Sequence, residues 1–169
     1  RHVSKFTLSP SSVVGGNSVT YEVSIGAPAP KNGVIIALTT SHTALPLPNA
    51  VNIQEGETSA RVTLSSRHVA EVINVAASAV WEGSPTTATL EVLRNTIAGL
   101  YAFPSEVVGG NSSKLTVELA ARAPAGGTVI PLVSDSSAVT SPATITVPAG
   151  SKFGTATLTS KFVTAKTVV

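Results

Sequence analysis

The segment Pro10-Ser11-Ser12-Val13-Val14-Gly15-Gly16-Asn17-Ser18 returns as Pro104-Ser105-Glu106-Val107-Val108-Gly109-Gly110-Asn111-Ser112, an offset of 94 residues. The same offset holds without a gap further along. Val23 meets Val117, Pro30 meets Pro124, Gly33 meets Gly127, Ile36 meets Ile130, Pro48 meets Pro142, Gly56 meets Gly150 and Val69 meets Val163. Repetition at a fixed period marks a duplicated structural unit. Turn glycines, prolines and alternating apolar residues match, whereas charged positions mostly differ. A duplicated catalytic centre would keep its His, Asp, Glu or Lys, so what was copied is a scaffold.

Within each copy, apolar residues recur at every second position. Val19, Tyr21, Val23 and Ile25 alternate with small or polar residues, as do Leu115, Val117 and Leu119. Such alternation places one face of a strand in a core. Val34 with Ile36 and Leu38, Val62 with Leu64, Ile73 with Val75 and Ala77, and Ala88 with Leu90 and Val92 give further strands. Turn signals separate these runs at Gly15-Gly16-Asn17, Pro28 to Gly33, Pro46 to Asn49, Glu55-Gly56 and Gly83-Ser84-Pro85. Val13 to Asn17 reads as a turn between the first and second strands, its glycines supplying positive φ. No stretch has the period of an amphipathic helix.

About seven short strands per copy predict an all-β chain of two tandem immunoglobulin-like antiparallel β-sandwiches. The expected limits are 1–95 and 96–169, joined at Arg94-Asn95-Thr96 without a flexible spacer. A short junction limits hinge motion and predicts an extended rod. By the offset, residue 169 falls inside the sixth strand of copy two, so the second module is expected to lack its last strand within this chain. Either a longer array continues beyond it, or another chain donates the strand.

Apolar residues make up 43% of the chain, aromatics 4%, and Met is absent, so the cores are filled by Val, Ile, Leu and Ala. Val and Thr favour pleated strands. Charged residues make up 12%, and the net charge of +2 includes no block of like charge, which argues against nucleic acid as a partner. Without Cys there is no disulfide and no thiolate metal site. No apolar run approaches the ~20 residues that cross a bilayer, so no membrane insertion is expected in this segment. Arg1 opens the chain without Met or an apolar leader, as a processed product or a piece of something longer would.

The run from Ser9 to Ser18, the Ala27-to-Gly33 and Ala123-to-Gly127 loops, the strands from Gly33 and Gly127, and Ile145 to Ser160 together carry a resemblance. They resemble the tandem immunoglobulin-like repeats of large bacterial surface and secreted proteins, over nearly the whole chain. The resemblance implies stalks, adhesin arms, filament subunits or spacers beside enzymes, and specifies no activity. The chain lacks the Cys pair of antibody-type domains, and Trp81 falls near the end of the sixth strand of copy one. Val51 to Leu64 faintly resembles calcium-binding β modules, but the ligand chemistry is missing.

Calcium takes several oxygen ligands, usually carboxylates. Asp135 is the only Asp, and Glu55 and Glu57 become Ala149 and Ser151 in copy two. His2, His42 and His68 lie at no metal-ligand spacing, and the last two become Ser136 and Phe162. A Ser-His-acid triad has no support, because the one Asp lies in the copy that has no His. Glu71, Glu82 and Glu91 could pair as glycosidase carboxylates but read as outward strand residues. Lys5 and Asn95 form a candidate isopeptide pair, yet Lys5 becomes Gly99. No catalytic, cofactor or metal residues are therefore assigned, and no cofactor is expected.

Trp81, Tyr21 and Tyr101 are the aromatics that could stack on sugars. Tyr21 matches Leu115 and reads as core, and Trp81 as core or junction packing. The expected function is an extracellular structural or adhesive repeat protein, not an enzyme: a rod-like stalk or filament block, with strand donation as a route of assembly. Its partners would be copies of itself or neighbouring repeats, with glycans or cell-surface components as further possibilities. The alternative is a carbohydrate-binding or accessory module of a secreted enzyme, with Trp81 as its best aromatic.

Overall fold

The computed structural model describes residues 2–168. They form strands and turns, and no helix occurs among them. The chain divides into two compact units, Arg1–Asn95 and Thr96–Val169, whose outermost residues, Arg1 and Val169, lie outside the described range.

Unit 1 contains β1 (Val3–Ser9), β2 (Ser12–Val14), β3 (Ser18–Ile25), β4 (Val34–Thr40), β5 (Ala50–Ile53), β6 (Ser59–Ser65), β7 (Ile73–Val80) and β8 (Thr86–Leu93). One sheet has the order β1-β3-β6 and the other β2-β8-β7-β4-β5. Two packed sheets with antiparallel pairing make the immunoglobulin-like sandwich expected from the alternation. Val19, Tyr21, Val23 and Ile25 of β3 are all buried, facing Ile36, Leu38, Val75, Ala77, Leu90 and Val92 of the opposite sheet. Val62 departs from its expected place inside. It is 39% exposed, because β6 is the edge of its three-stranded sheet and has no neighbour beyond it.

Unit 1 has eight strands where seven were expected, and the extra one lies in the repeated segment Pro10 to Ser18. Ser12, Val13 and Val14 form a strand parallel to β8, opposite Glu91, Val92 and Leu93. They are therefore not part of a turn. Val13 is buried in the core, and the Ser12 hydroxyl donates to Glu91 Oε2 at 2.9 Å. The chain thus leaves the first sheet after Ser9 and joins the second before turning at Gly15-Gly16.

That turn is held by backbone contact. A Cβ at Gly15 would come within 2.7 Å of the Arg67 carbonyl oxygen. Gly16 has φ +99° and lies beneath the His68 ring. Unit 2 repeats the arrangement with Gly109 against the Lys161 carbonyl and Gly110, φ +94°, beneath the Phe162 ring. His68 is thus a flat lid on a glycine turn, and Phe serves the same purpose.

Unit 2 contains β9 (Ile97–Phe103), β10 (Ser112–Leu119), β11 (Thr128–Pro131), β12 (Val139–Thr140), β13 (Thr144–Val147) and β14 (Phe153–Ser160). One sheet has the order β12-β14-β10-β9, and the other is β11 with β13 alone. By the 94-residue offset the counterpart of β7 would begin at Thr167, so the described residues include only its first two positions and nothing of the counterpart of β8. In unit 1, β4 pairs with β7 through Ala37, Leu38, Thr39 and Thr40. β11 ends at Pro131, the counterpart of Ala37, where β4 likewise ends its pairing with β5.

Two predictions follow from these cores. Unit 2 has the smaller buried cluster, so it should unfold at lower urea. The sole Trp, Trp81, packs against the core of unit 1 and reports that unit alone. Far-UV circular dichroism should therefore begin to fall before Trp fluorescence changes, and coincident curves would contradict a weaker unit 2. Separately, burial lowers the His68 pKa in the folded state. The unfolded chain then binds the proton more readily, so unit 1 keeps full stability above about pH 6.5 and loses part of it as pH falls toward the folded value. His68→Phe should flatten that slope in the Trp81 unfolding curve, and an unchanged slope would place its origin elsewhere.

Candidate functional site

The residues weighed as catalytic or metal-binding are not brought together. His42 is exposed, and its Nδ1 accepts the Ala44 N–H at 3.0 Å. In unit 2 the Ser136 hydroxyl accepts the Ala138 N–H in the same place at 3.2 Å. One turn cap replaces another. Glu55 accepts the Asn32 N–H at 3.1 Å across a turn, and Glu91 holds Ser12 across strands. His2, Glu57, Glu71, Glu82 and Asp135 are exposed. No group of three or more His, Cys, Asp or Glu able to hold a metal ion occurs among the described residues. Lys5 is exposed on β1, opposite Ser24, and Asn95 is half-buried at the unit boundary.

The aromatics separate cleanly. Tyr21 is 1% exposed, and burial raises its pKa. Trp81 is half-buried and packs against the core of unit 1 just after β7, which removes it as an open sugar shelf. Tyr101 is different. It is exposed on the outer face of β9, and its hydroxyl donates to Glu118 Oε2 at 3.2 Å. That hydrogen bond, with the carboxylate charge, raises its pKa.

The most distinctive feature is the open flank of unit 2. Positions that are core in unit 1 are bare there. Val3 and Phe6 are 3% and 4% exposed, whereas their counterparts Ile97 and Leu100 are 54% and 59%. Val107, counterpart of the buried Val13, is 36% exposed. These side chains point inward from β9 and the segment after it, toward the space that β7 and β8 fill in unit 1. A cleft of about 540 Å³ opens beside Val107, between Ser105 to Gly109 on one wall, Ala138, Val139 and Ser160 on another, and the chain's own residues 163–168. Glu106 to Val108 correspond to β2, the strand that in unit 1 accepts β8 as its parallel partner.

The backbone of β11 is open along the same flank. In unit 1, the Leu38 N–H bonds toward β5 at Asn49 O, and the Ser41 N–H bonds toward β7 at Ala76 O. N–H directions alternate along a strand, so the Ala37 N–H faces β7. Pro131 stands there in unit 2 and has no N–H to give. The exchange of Ala37 for Pro131 at the 94-residue offset is visible in the sequence. Chemically, the flank offers apolar side chains, backbone acceptors and a reduced set of donors.

No protein-family model matches the chain, and no curated protein matches it in sequence. Among solved structures, invasin, described as a bacterial integrin-binding protein, is similar with TM-score 0.52 and 21% identity, over 94% of this chain and 34% of that one. The chain thus spans about a third of the invasin structure. The D0-D1 domain of intimin gives TM-score 0.42 and 18% identity over 95% of this chain and 86% of that one. Adhesin InvE of Yersinia pseudotuberculosis gives 0.40 and 18%, over 92% and 51%. The likeness is one of fold: the chain has an all-β, immunoglobulin-like architecture.

Proposed function

We propose that the chain is part of an extracellular structural or adhesive repeat protein, a stalk or filament block without catalytic activity. The observation that carries this reading is the manner in which the two units differ. Scaffold positions are kept, while polar groups are exchanged for others that do the same packing or capping job, as His42 is by Ser136 and His68 by Phe162. Selection for chemistry would hold the reactive groups and let the turn caps drift. The fold likeness to invasin supports a place on a bacterial surface, with adhesion to a cell-surface component as the use.

Strand donation is the finer part of the proposal. The bare Ile97, Leu100 and Val107 and the unpaired edge of β11 support completion of unit 2 by an extended segment resembling β7 and β8. Backbone pairing supplies affinity and alternate side chains supply register. The missing donor at Pro131 weakens the ladder there, leaving burial of the aliphatics as the main driving force.

A synthetic peptide with the sequence of residues 73–93 tests this directly. Added to the whole chain at 100 times its Kd, it should stabilise unit 2 by ~2.7 kcal/mol. The early circular dichroism transition would move to higher urea and the Trp81 transition would stay in place. Pro131→Ala restores one donor, for which ~0.5–1.5 kcal/mol, or a few-fold tighter binding, is expected. If the peptide leaves the early transition where it was, the flank is not a strand acceptor.

A further inference from the structure

The faces turned away from the cores, on β1, β3 and β6 in unit 1 and on β9, β10 and β14 in unit 2, can be compared row by row, because both units keep the same register. In unit 1, one row is Lys5, Ser24 and Ser59 and the next is Thr7, Glu22 and Arg61. The third is Ser9, Thr20 and Thr63. No aromatic is present. In unit 2 the corresponding rows are Gly99, Glu118 and Phe153, then Tyr101, Thr116 and Thr155, then Phe103, Lys114 and Thr157. Three of the seven aromatics in the chain stand on this one face, each where unit 1 carries Ser or Thr.

They are not placed there for packing within the unit. Tyr101, Phe103 and Phe153 are 55%, 81% and 50% exposed. The side chains of Leu100 and Ala102 point to the other side of β9, so this face is distinct from the open flank. Gly99 has a specific part in the arrangement: a Cβ there would overlap the Tyr101 ring and hydroxyl. The absence of a side chain lets the ring lie back over the strand, and the hydrogen bond to Glu118 pins it. One aromatic surface is thus fixed along the sheet with a face to solvent, and Phe103 stands two residues on.

The polar groups select the ligand class. Beside Phe103 is a shallow trough of about 390 Å³ whose only charged side chain is Lys114, an exposed residue without an ion-pair partner among those described. Around it are hydroxyls from Ser112, Thr155 and Thr157. Glu118, the nearest carboxylate along β10, is engaged by Tyr101. The charge of the whole chain points the same way. Unit 1 has six basic and six acidic residues, whereas unit 2 has five and three, so the net +2 belongs to unit 2.

We infer that the outer face of β9, β10 and β14 in unit 2 binds a carboxylated polysaccharide, with Tyr101 and Phe103 stacking on sugar rings and Lys114 pairing with a uronate-type carboxylate. Aromatic faces carry negative quadrupole density that attracts the C–H groups of a pyranose. Hydroxyl side chains can both donate to and accept from sugar hydroxyls. A shallow, hydroxyl-rimmed surface favours an extended glycan over a protein partner, whose docking would need a larger apolar centre. The inference goes beyond the structural reading and does not depend on strand donation.

The test uses the whole chain and polygalacturonate, with its carboxyl-reduced form as the neutral control, in affinity electrophoresis at physiological ionic strength. The wild-type chain should be retarded by both and more strongly by polygalacturonate. Tyr101→Thr with Phe103→Ser installs the residues of unit 1 at positions where that unit folds with them, and should weaken both interactions at least tenfold without altering net charge. Lys114→Thr should abolish the preference for the carboxylated polymer while leaving retardation by the neutral one. Far-UV circular dichroism checks that each variant is folded. No retardation of the wild type, or equal retardation after the double substitution, overturns the inference. So does self-association that Phe103→Ser abolishes in a chain that binds neither polymer, since the face would then be a protein contact.

Discussion

Burial of aliphatic side chains between two sheets is the constraint on which everything else in this chain depends. Cys is absent. The ion pair between Lys166 and Glu106 is 2.7 Å long with both side chains more than three-quarters exposed, and such pairs contribute at most about 1 kcal/mol. Cohesion comes from Val, Ile, Leu and Ala meeting across the sandwich, at roughly 25 cal/mol per Å² of apolar surface removed from water. Unit 1 meets that requirement with a five-stranded sheet over a three-stranded one. Among the described residues, unit 2 sets two strands against its larger sheet, and side chains of β9 lie bare.

The inward strand faces could be read from the sequence because alternation and burial have the same period. Tyr21 was assigned to the core from its match with Leu115, and it lies there. The reading failed where local and long-range information compete. Ser12 to Val14 precede two glycines and look like the approach to a turn, yet their backbone pairs with β8, nearly 80 residues later. No local pattern carries that pairing.

The aromatic face was partly legible. Tyr101 was singled out, but Phe103 and Phe153 were not, because neither belongs to a motif and they are 50 residues apart. Register brings them onto one face, and comparison of the two copies gives the exchange its meaning. The same comparison explains residues that look chemical in isolation. His42 and His68 would each invite a catalytic reading in a single domain. Beside Ser136 and Phe162 they are a cap and a lid.

The parallel pairing of β2 with β8 has a mechanical consequence. β2 lies close to the amino end of unit 1 and β8 ends at its carboxyl end, with Ser12 opposite Glu91 and Val14 opposite Leu93. Tension applied through the two ends would drag these strands past each other lengthwise. The bonds from Gly15 N–H to Leu93 O and from Glu91 N–H to Ser11 O, both 2.9 Å, would share the load and fail together instead of peeling open in turn. A strand three residues long thereby acts as a shear clasp for a module under pull.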